Sequence, residues 1–291
     1  MTLRHLQIFV EVAKCGKMSQ AATNLFISQP TVSQAIGELE SHYNIKLFER
    51  YPKTLCITES GKVFLEQAKL VLDAFNTLET TMKNPNYKYT INVGVTITVA
   101  SCIISDILKN FKEKYPNIKV KIYANNTKII EDKLLTNELD LGLVEGIIKS
   151  PTLITKSIIE DQLVLVCGNE SPLLKKKNVT LKDLENEPFI LREEGSGTRE
   201  VFINFMHSKG INIDVAWECS NPIAIIQGVI KNHGLSVISA RLVENEIKEG
   251  KLNIISLEDF NWTRTFKLVY HKNKYKNIAI KNFAETAQEY K

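Results

Sequence analysis

The fold of this chain is decided by the stretch Ser19 to Gln34, which reads SQAATNLFISQPTVSQ. Ser19 is predicted to cap a short helix that ends near Leu25, and Ser28 to cap a second helix, because serine hydroxyls accept hydrogen bonds from the free N–H groups of a helix start. Pro30 falls in the first turn of the second helix, where its missing N–H is tolerated. A helix, a tight turn and another helix are therefore expected.

An earlier helix supports this pair. Apolar residues recur at helical spacing from Leu3 to Ala13, and Gly16 is suited to end that helix in a left-handed backbone conformation. The first helix is therefore predicted to be a scaffold on which the following two pack.

The second helix of the pair has two distinct faces. Val32, Ile36 and Leu39 fall on one apolar stripe, so short polar residues are left on the opposite face. Such a face fits the major groove of DNA, where glutamine, serine and threonine can hydrogen-bond base edges. The residues predicted to contact DNA here are Ser28, Gln29, Pro30, Thr31, Ser33 and Gln34. The alternative is that Ser-Gln-Pro only caps and starts a helix.

A two-stranded hairpin is predicted next, from Phe48 to Arg50 and from Leu55 to Thr58. Its tip, Tyr51-Pro52-Lys53, would form a wing. Arg50 and Lys53 are predicted to contact phosphates, which positions a protein on DNA without reading its sequence.

The composition bounds the class of protein. With 291 residues, 44% of them hydrophobic, and a net charge of +4, the chain fits a soluble protein of two or three domains, and its charge alone does not indicate a nucleic-acid binder.

Neither the five cysteines nor the five histidines show metal-ligand spacing, so no cofactor and no metal are expected. Thiol sensing is the weaker alternative to cysteines buried as small apolar residues. With no signal peptide and no long apolar run, a cytoplasmic protein is expected.

A long helix is predicted from Thr58, its N-cap, to Lys83. Apolar residues repeat along it at alternating steps of four and three, which is typical of a coiled-coil seam and predicts a dimer contact. The seam residues are Phe64, Ala68, Val71, Phe75, Leu78 and Met82. The alternative is a helix that packs on its own domain. The segment 84–88 is predicted to be a hinge.

The remaining chain alternates strand and helix patterns, which predicts an α/β fold with a largely parallel sheet and two similar lobes. In the first lobe we expect strands over 89–95, 119–124 and 141–144 and helices over 100–115 and 129–137. In the second we expect strands over 189–191, 215–218 and 235–238, a helix after Gly197 and another over 223–231. Apolar runs at 163–167 and 266–270 are predicted to cross between the lobes.

Three connections from strand to helix are candidate ligand sites, because ligands of such folds bind at the carboxyl ends of strands, near the free N–H groups of helix starts. They lie at 94–98, 193–199 and 220–222. Facing helix starts rich in donors favour a small anion, such as a carboxylate, a sulfur oxyanion or a phosphorylated metabolite. The candidate effector-binding residues are Thr96, Thr98, Glu145, Ser196, Gly197, Thr198 and Asn221.

Two of the charged residues near these connections have open roles. Glu145 either accepts a hydrogen bond from an effector or pairs with Arg192 or Arg199. Arg199 either binds an effector or bridges a nearby carboxylate.

Many fixed spacings agree between residues 21 and 61. They involve Ala21-Ala22, Ser28-Gln29-Pro30, Val32-Ser33, Leu39-Glu40, Leu47-Phe48-Glu49-Arg50 and Thr58-Glu59-Ser60-Gly61. Together these residues resemble the LysR-type transcriptional regulators. Asn44 stands where that family usually has glycine, but asparagine also tolerates a left-handed backbone. The segments 140–146 and 192–199 resemble the branch of the family that regulates sulfur assimilation and carbon fixation.

The resemblance implies a winged helix-turn-helix over 1–58, a dimerisation helix and hinge over 59–87 and a periplasmic-binding-protein-like effector domain over 88–291. Its first lobe would comprise 88–162 and 270–291, and its second lobe 163–269. The implied partners are promoter DNA, a small anionic metabolite, a second copy or a tetramer of this chain, and RNA polymerase.

Two other classes of function remain as alternatives. One is an enzyme on the two lobes with an accessory DNA-binding head, but the chain has no G-x-S-x-G, Walker, H-E-x-x-H or G-x-G-x-x-G motif, so no enzyme is expected. The other is an architectural DNA binder with a vestigial lobe pair, against which the threonine-rich and glycine-rich connections argue.

Overall fold

The computed structural model describes residues 1–51, 54–83, 89–185, 187–257 and 262–290. The backbone divides into two compact units. The first comprises Met1–Lys88, Leu135–Glu138 and Asn273–Tyr275, and the second comprises Tyr89–Leu134, Leu139–Lys272 and Lys276–Lys291. The expected hinge at 84–88 and the wing tip at Pro52 and Lys53 lie outside the described residues. Within the described ranges, no helix has both the length and the apolar character that crossing a membrane requires.

The first unit begins with helices α1 (Leu3–Cys15), α2 (Met18–Asn24) and α3 (Gln29–Tyr43). Local chemistry sets their ends. The Ser28 hydroxyl accepts a hydrogen bond from the Thr31 N–H and caps α3, as expected. Gly16 ends α1 with φ of 64°, and Asn44 ends α3 with φ of 54°, so both residues adopt the expected left-handed conformation.

The expected cap at Ser19 is wrong. Helix α2 begins at Met18, so Lys17 takes the capping position and makes no side-chain hydrogen bond there. Ser19 lies inside the first turn, where its carbonyl accepts a hydrogen bond of 3.1 Å from the Thr23 hydroxyl. A serine hydroxyl caps a helix only from the residue just before the first turn, so a shift of the helix start removes the role.

The apolar stripe of α3 packs with α1 and α2 in one core. Phe9 is fully buried at its centre, with its ring centroid 5.3 Å from that of Phe48 and 4.9 Å from that of Phe64. The Glu40 carboxylate accepts hydrogen bonds from the N–H groups of Leu47, at 2.9 Å, and Phe48, at 3.3 Å. Helix α3 is therefore attached to the segment that follows it.

The remaining elements of this unit are β1 (Phe48–Tyr51), β2 (Thr54–Ile57) and α4 (Glu59–Lys83). The strands β1 and β2 pair antiparallel and form the expected hairpin. The Thr58 hydroxyl accepts a hydrogen bond of 2.9 Å from the Gly61 N–H, so Thr58 caps α4 as expected. The same hydroxyl donates to the Lys46 carbonyl at 2.7 Å, which fixes the start of α4 against the base of the hairpin.

The second unit alternates strands and helices. In its first part these are β3 (Thr90–Thr96), α5 (Ile97–Cys102), α6 (Ile104–Lys114), β4 (Lys119–Asn125), α7 (Thr127–Leu135), β5 (Leu141–Val144) and β6 (Leu153–Cys167). They are followed by β7 (Pro188–Leu191), α8 (Gly197–Ser208), β8 (Asp214–Glu218), α9 (Pro222–Ile230), β9 (Ser236–Ser239), α10 (Ala240–Lys248), β10 (Asn253–Ile254), β11 (Trp262–His271) and α11 (Ile278–Glu289).

One of the expected helices is replaced by two shorter helices. The helix predicted over 100–115 is divided into α5 and α6 at Ile103, which is buried and has φ of −130°, outside the helical region. Helix α5 begins directly after β3, so Thr98 lies in a first helical turn and not in a connecting loop.

Seven of the described strands form a mixed sheet in the order β10-β6-β11-β5-β3-β4, with β9 also pairing with β6. Strand β3 is parallel to β4 and β5, whereas β11 is antiparallel to both β5 and β6. The expectation of a largely parallel sheet is therefore only partly correct. The late strand β11 inserts between β5 and β6, and periodicity along the sequence does not reveal an insertion of this kind.

Strands β6 and β11 belong to both lobes. They pair with each other from Trp262 opposite Leu163 to His271 opposite Leu153. Strand β11 also pairs with β5 in the first lobe, and the second half of β6 pairs with β9 and β10 in the second lobe. Each lobe has its own core, and the strands β7 and β8 pair separately in the second lobe. The expected two-lobed α/β fold is confirmed.

Candidate functional sites

The outer face of α3 is exposed and carries short side chains. Ser33 is half-buried at its edge, and the exposed residues of the expected DNA contact are Ser28, Gln29, Pro30, Thr31 and Gln34. The hydroxyls of Ser28 and Thr31 lie 2.8 Å apart, so they hydrogen-bond each other at the helix start. The first turns of α3 present amide and hydroxyl groups, which suits hydrogen bonding to base edges.

Arg50 and Lys53 of the hairpin segment are the residues predicted to contact phosphates. Arg50 lies on β1, where its backbone pairs with Leu55, and Lys53 lies outside the described residues. Lys46, at the base of the hairpin, is exposed and forms a salt bridge of 2.9 Å with Glu40. The DNA-contacting roles of Arg50 and Lys53 stay predictions.

The expected dimer seam of α4 has two parts. Ala68 is buried in the core of the first unit, and Phe64 packs against that core. These two residues therefore follow the alternative in which the helix packs on its own domain. Val71, Leu78 and Met82, further along α4, are exposed, and Met82 has 72% of its surface accessible.

In the first lobe, the expected effector residues converge where β3 and β5 end. Thr96 is the last residue of β3 and is buried, and its hydroxyl donates to the Glu145 carboxylate. Glu145 directly follows β5 and is also buried. The Thr127 hydroxyl donates to the Glu145 carbonyl at 2.7 Å, and Thr98 is buried in the first turn of α5. These residues form a polar layer inside the protein.

The second lobe faces this layer with the start of α8. Ser196 precedes the helix, Gly197 and Thr198 form its first turn, and all three are buried. A Cβ atom on Gly197 would lie 2.7 Å from the Glu145 carbonyl oxygen and 2.7 Å from the Gly146 Cα. Position 197 requires glycine because the backbones of the two lobes touch there.

A buried arginine that the sequence did not predict as a site residue contacts both the first-lobe layer and the start of α8. Arg264 lies on β11, with its Nε 2.7 Å from Asp161 on β6 and its Nη1 donating to the Thr198 hydroxyl at 2.7 Å. Its Nη1 also lies 4.0 Å from the Glu145 carboxylate. Ser239 donates to Asp161 at 2.6 Å. Arg264 is flanked by Thr263 and Thr265, and Asp161 by Glu160 and Gln162, so no local pattern marks either residue as a buried charge.

Two donors of this cluster are unused. The Oγ of Ser196 and the Nη2 of Arg264 are buried and have no hydrogen-bond partner among the described residues. Ser196 occupies the capping position of α8 but makes no side-chain capping bond. An acceptor that binds Ser196 Oγ would lie at the positive end of the α8 dipole. The arrangement is chemically suited to bind an oxyanion.

Other candidates lie apart from the cluster. Asn221 is exposed, and its side chain accepts a hydrogen bond from the Ile223 N–H to cap α9. Arg199 bridges Glu218 and also donates to the Arg192 carbonyl at 3.1 Å. The side-chain partners found for Glu145 are thus Thr96 and Arg264, rather than Arg192 or Arg199.

Cys102, whose pKa is affected by Asp161 of this cluster, is not suited to redox sensing. Burial, together with the negative charge of Asp161, raises the pKa of Cys102 to about 11. A thiol with so high a pKa is almost entirely protonated near neutral pH, and the thiolate is the reactive form.

The fold and these sites define a class of protein: a helix-turn-helix DNA-binding regulator with a two-lobed α/β effector domain. Comparison with known proteins agrees. The family described as "Bacterial regulatory helix-turn-helix protein, lysR family" matches residues 3–62, and the "LysR substrate binding domain" matches residues 86–291. The chain belongs to the LysR family of transcriptional regulators, which is a family of DNA-binding regulators and not of enzymes.

Three similar proteins illustrate the relationship. The transcriptional regulator YeiE of Escherichia coli is 30% identical over 285 residues, which cover 98% of this chain and 96% of YeiE. The RuBisCO operon transcriptional regulator of Allochromatium vinosum is 27% identical and covers 98% of this chain and 95% of its own length, in agreement with the expected branch. The regulatory domain of Synechocystis CcmR, solved in complex with 2-PG, has a TM-score of 0.63 and 27% identity, over 68% of this chain and 95% of that domain.

Proposed function

We propose that this regulator reads promoter DNA with the start of α3 and senses a small anionic metabolite bound between its two lobes. Ser28, Gln29, Pro30, Thr31, Ser33 and Gln34 would contact the major groove, and Arg50 and Lys53 the phosphates. The effector would bind among Thr96, Thr98, Glu145, Ser196, Gly197 and Thr198, with Arg264 as an additional donor. Asn221 is the weakest of the expected effector contacts, because its side chain is exposed and already caps α9.

The observation that carries the effector proposal is the pair of unused donors, Ser196 Oγ and Arg264 Nη2. A buried donor without an acceptor costs about 1–3 kcal/mol, and more for a charged group. An oxyanion that accepts from both donors would remove that cost and would add the favourable field of α8. The related CcmR domain, whose structure contains 2-PG, supports a small-molecule effector for this chain.

The ligand would regulate by shifting an equilibrium between two arrangements of the lobes. A ligand can shift such an equilibrium only by its difference in affinity for the two states. Because Gly197 touches the first lobe at Glu145 and Gly146, an anion that fills this site would change the contact between the lobes.

We further propose a homodimer, or a tetramer of paired dimers, in which Val71, Leu78 and Met82 of α4 contact the second copy. RNA polymerase is the proposed protein partner, since a regulator at a promoter acts on that enzyme, and the cytoplasm is the proposed location because promoter DNA is there in bacteria. We also propose domain boundaries after residues 58 and 87; the family matches to residues 3–62 and 86–291 support a division of the chain in these regions.

The effector proposal is tested by thermal unfolding of the full chain with sulfate, thiosulfate, O-acetylserine, phosphorylated sugars and simple carboxylates. A ligand at about 100 times its Kd should stabilise the protein by about 2.7 kcal/mol, which raises Tm measurably. We expect Ser196→Ala and Thr198→Val to abolish the shift. Ser208→Ala, at the other end of α8, is the matched control and should keep it.

Two results would contradict the proposal. If no compound shifts Tm, the site does not sense an anion of these classes. If a compound shifts Ser196→Ala and Thr198→Val as much as the unmodified chain, it binds elsewhere.

A further inference from the structure

The side chain of Gln34 on the outer face of α3 is held by its neighbours. Its Nε2 donates to Glu38 Oε1 at 2.8 Å, one helical turn further along α3. The other oxygen of that carboxylate, Oε2, lies 3.3 Å from the Nε2 of His5 on α1. A chain of three side chains therefore runs from the scaffold helix to the DNA-facing surface.

The His5 imidazole contacts Glu38 through one ring nitrogen only. The Nδ1 of His5 is buried and has no hydrogen-bond partner among the described residues, whereas its Nε2 faces Glu38. Of the two ring nitrogens, Nε2 is therefore the one that contacts the Glu38 carboxylate, at 3.3 Å. With the His5 side chain 21% exposed and that of Glu38 49% exposed, the inner end of the chain is the more firmly packed one.

Glu38 in turn fixes the orientation of the Gln34 amide. A carboxylate only accepts hydrogen bonds, so the amide nitrogen must face Glu38 and the amide oxygen cannot take its place. The Oε1 of Gln34 and its second N–H are left for a partner. An acceptor beside a donor matches adenine, which offers the N6 donor and the N7 acceptor in the major groove, whereas guanine offers two acceptors there.

We propose that Glu38 is a positioning residue, anchored by His5, that sets the Gln34 amide to prefer adenine at one position of each half-site. The proposal rests on the base-reading role proposed for Gln34. Glu38 itself need not touch DNA: it acts by preventing the amide from turning over.

The test uses the full chain and duplexes selected from a random-sequence library by that chain. The informative position is the one at which Gln34→Ala relaxes the preference. At that position the ratio of Kd values for G·C and A·T duplexes is measured for the unmodified chain, Gln34→Ala, Glu38→Gln and the double variant. Glu38→Gln keeps the shape of the side chain but can hydrogen-bond either end of the Gln34 amide. Glu59→Gln, which removes the same charge at an exposed position of α4, is the matched control.

We expect Glu38→Gln to lower the ratio by about tenfold, within the range of a bidentate base contact, and to leave other positions of the site unchanged. Loss of a negative charge near phosphates should also tighten binding to all duplexes, and this effect cancels in the ratio. In the Gln34→Ala background, Glu38→Gln should cause no further loss, because Glu38 acts through Gln34. His5→Phe should lower the ratio at the same position by a smaller factor.

Negative results would separate the positioning role of Glu38 from the base-reading role of Gln34. An unchanged ratio in Glu38→Gln, or a loss that persists in the double variant, would overturn the positioning role while leaving Gln34 as a base reader. If Gln34→Ala relaxes no position, the base-reading role and the positioning role both fall, although the protein still binds DNA.

Discussion

At the scale of single residues, Asp161 and Arg264 form a buried ion pair in the effector domain. The two residues lie opposite each other on β6 and β11, with 0% and 6% of their side-chain surfaces exposed. Asp161 is compensated by hydrogen bonds from Arg264 and Ser239, and Arg264 also bonds Thr198. Because a buried charge is tolerated only with partners, these contacts couple the crossing strands to the start of α8.

Removal of Asp161 should therefore be severe. We expect Asp161→Ala to lower the free energy of unfolding by about 3–5 kcal/mol, because the buried Arg264 loses its nearest carboxylate and keeps only Glu145, at 4.0 Å. Urea unfolding followed by the fluorescence of Trp217 and Trp262, both in the second unit, measures the loss. The control is Glu244→Ala, which breaks an exposed ion pair with Lys248 and should hardly change the midpoint. Equal midpoints for the two variants would show that the buried pair contributes little.

At the scale of elements, Glu40 connects α3 to the hairpin, and this connection should depend on pH. Burial raises the pKa of Glu40, but hydrogen bonds from Lys46 and from the N–H groups of Leu47 and Phe48 outweigh it, so the pKa is lowered from 4.5. A carboxyl group with a lowered pKa contributes its full stability above the unfolded value and loses it as the pH falls through the folded value.

Hydrogen exchange tests this expectation. Protection of the amides of α3 and β1, corrected for intrinsic rates, should fall in the unmodified chain as the pH drops below 4.5. In Glu40→Gln the protection should be lower already at neutral pH and should lack this acid-dependent step. Parallel profiles for the two proteins would mean that Glu40 does not couple the elements.

The sequence predicted elements best where their cause is local. Ser28, Asn44 and Thr58 act on backbone groups a few residues away, so their roles follow from the order of residues alone. The capping role predicted for Ser19 was wrong because α2 begins at Met18, two residues earlier than that role requires. Thr98 was predicted to lie in a loop but is in the first turn of α5, and its role in binding an effector stays a prediction.

The contacts within the proposed effector site were harder to predict. Arg264 and Asp161 meet only because β11 pairs with β6 in one register, and that pairing joins residues about a hundred positions apart. No local pattern encodes such a register. The unused donor on Ser196 also depends on where α8 begins and on the burial that the other lobe supplies.

At the scale of the whole molecule, the exposed end of α4 is expected to govern assembly. Leu78→Glu should convert the dimer to a monomer, because it places a charge in an apolar contact that must lose its water. Sedimentation velocity measures the change in mass. DNA affinity should fall as well, since two linked half-site contacts bind more tightly than one.

Asn76→Glu introduces the same charge at an exposed position on the opposite side of α4 and is the control. It should leave the dimer intact. If Leu78→Glu sediments like the unmodified chain, the copies associate through another surface.

The sharing of β6 and β11 between the lobes has a consequence for the way the protein is made. Strand β6 ends at Cys167, but its partner β11, which is also shared by the two lobes, begins only at Trp262. Domains fold as the chain leaves the ribosome, starting from the N-terminus. The helix-turn-helix can therefore form early. The edge of β6 that pairs with β11 stays unpaired until β11 has been synthesised. During that interval the growing chain exposes a strand edge open to mispairing, so chaperones are most needed between these two points of translation.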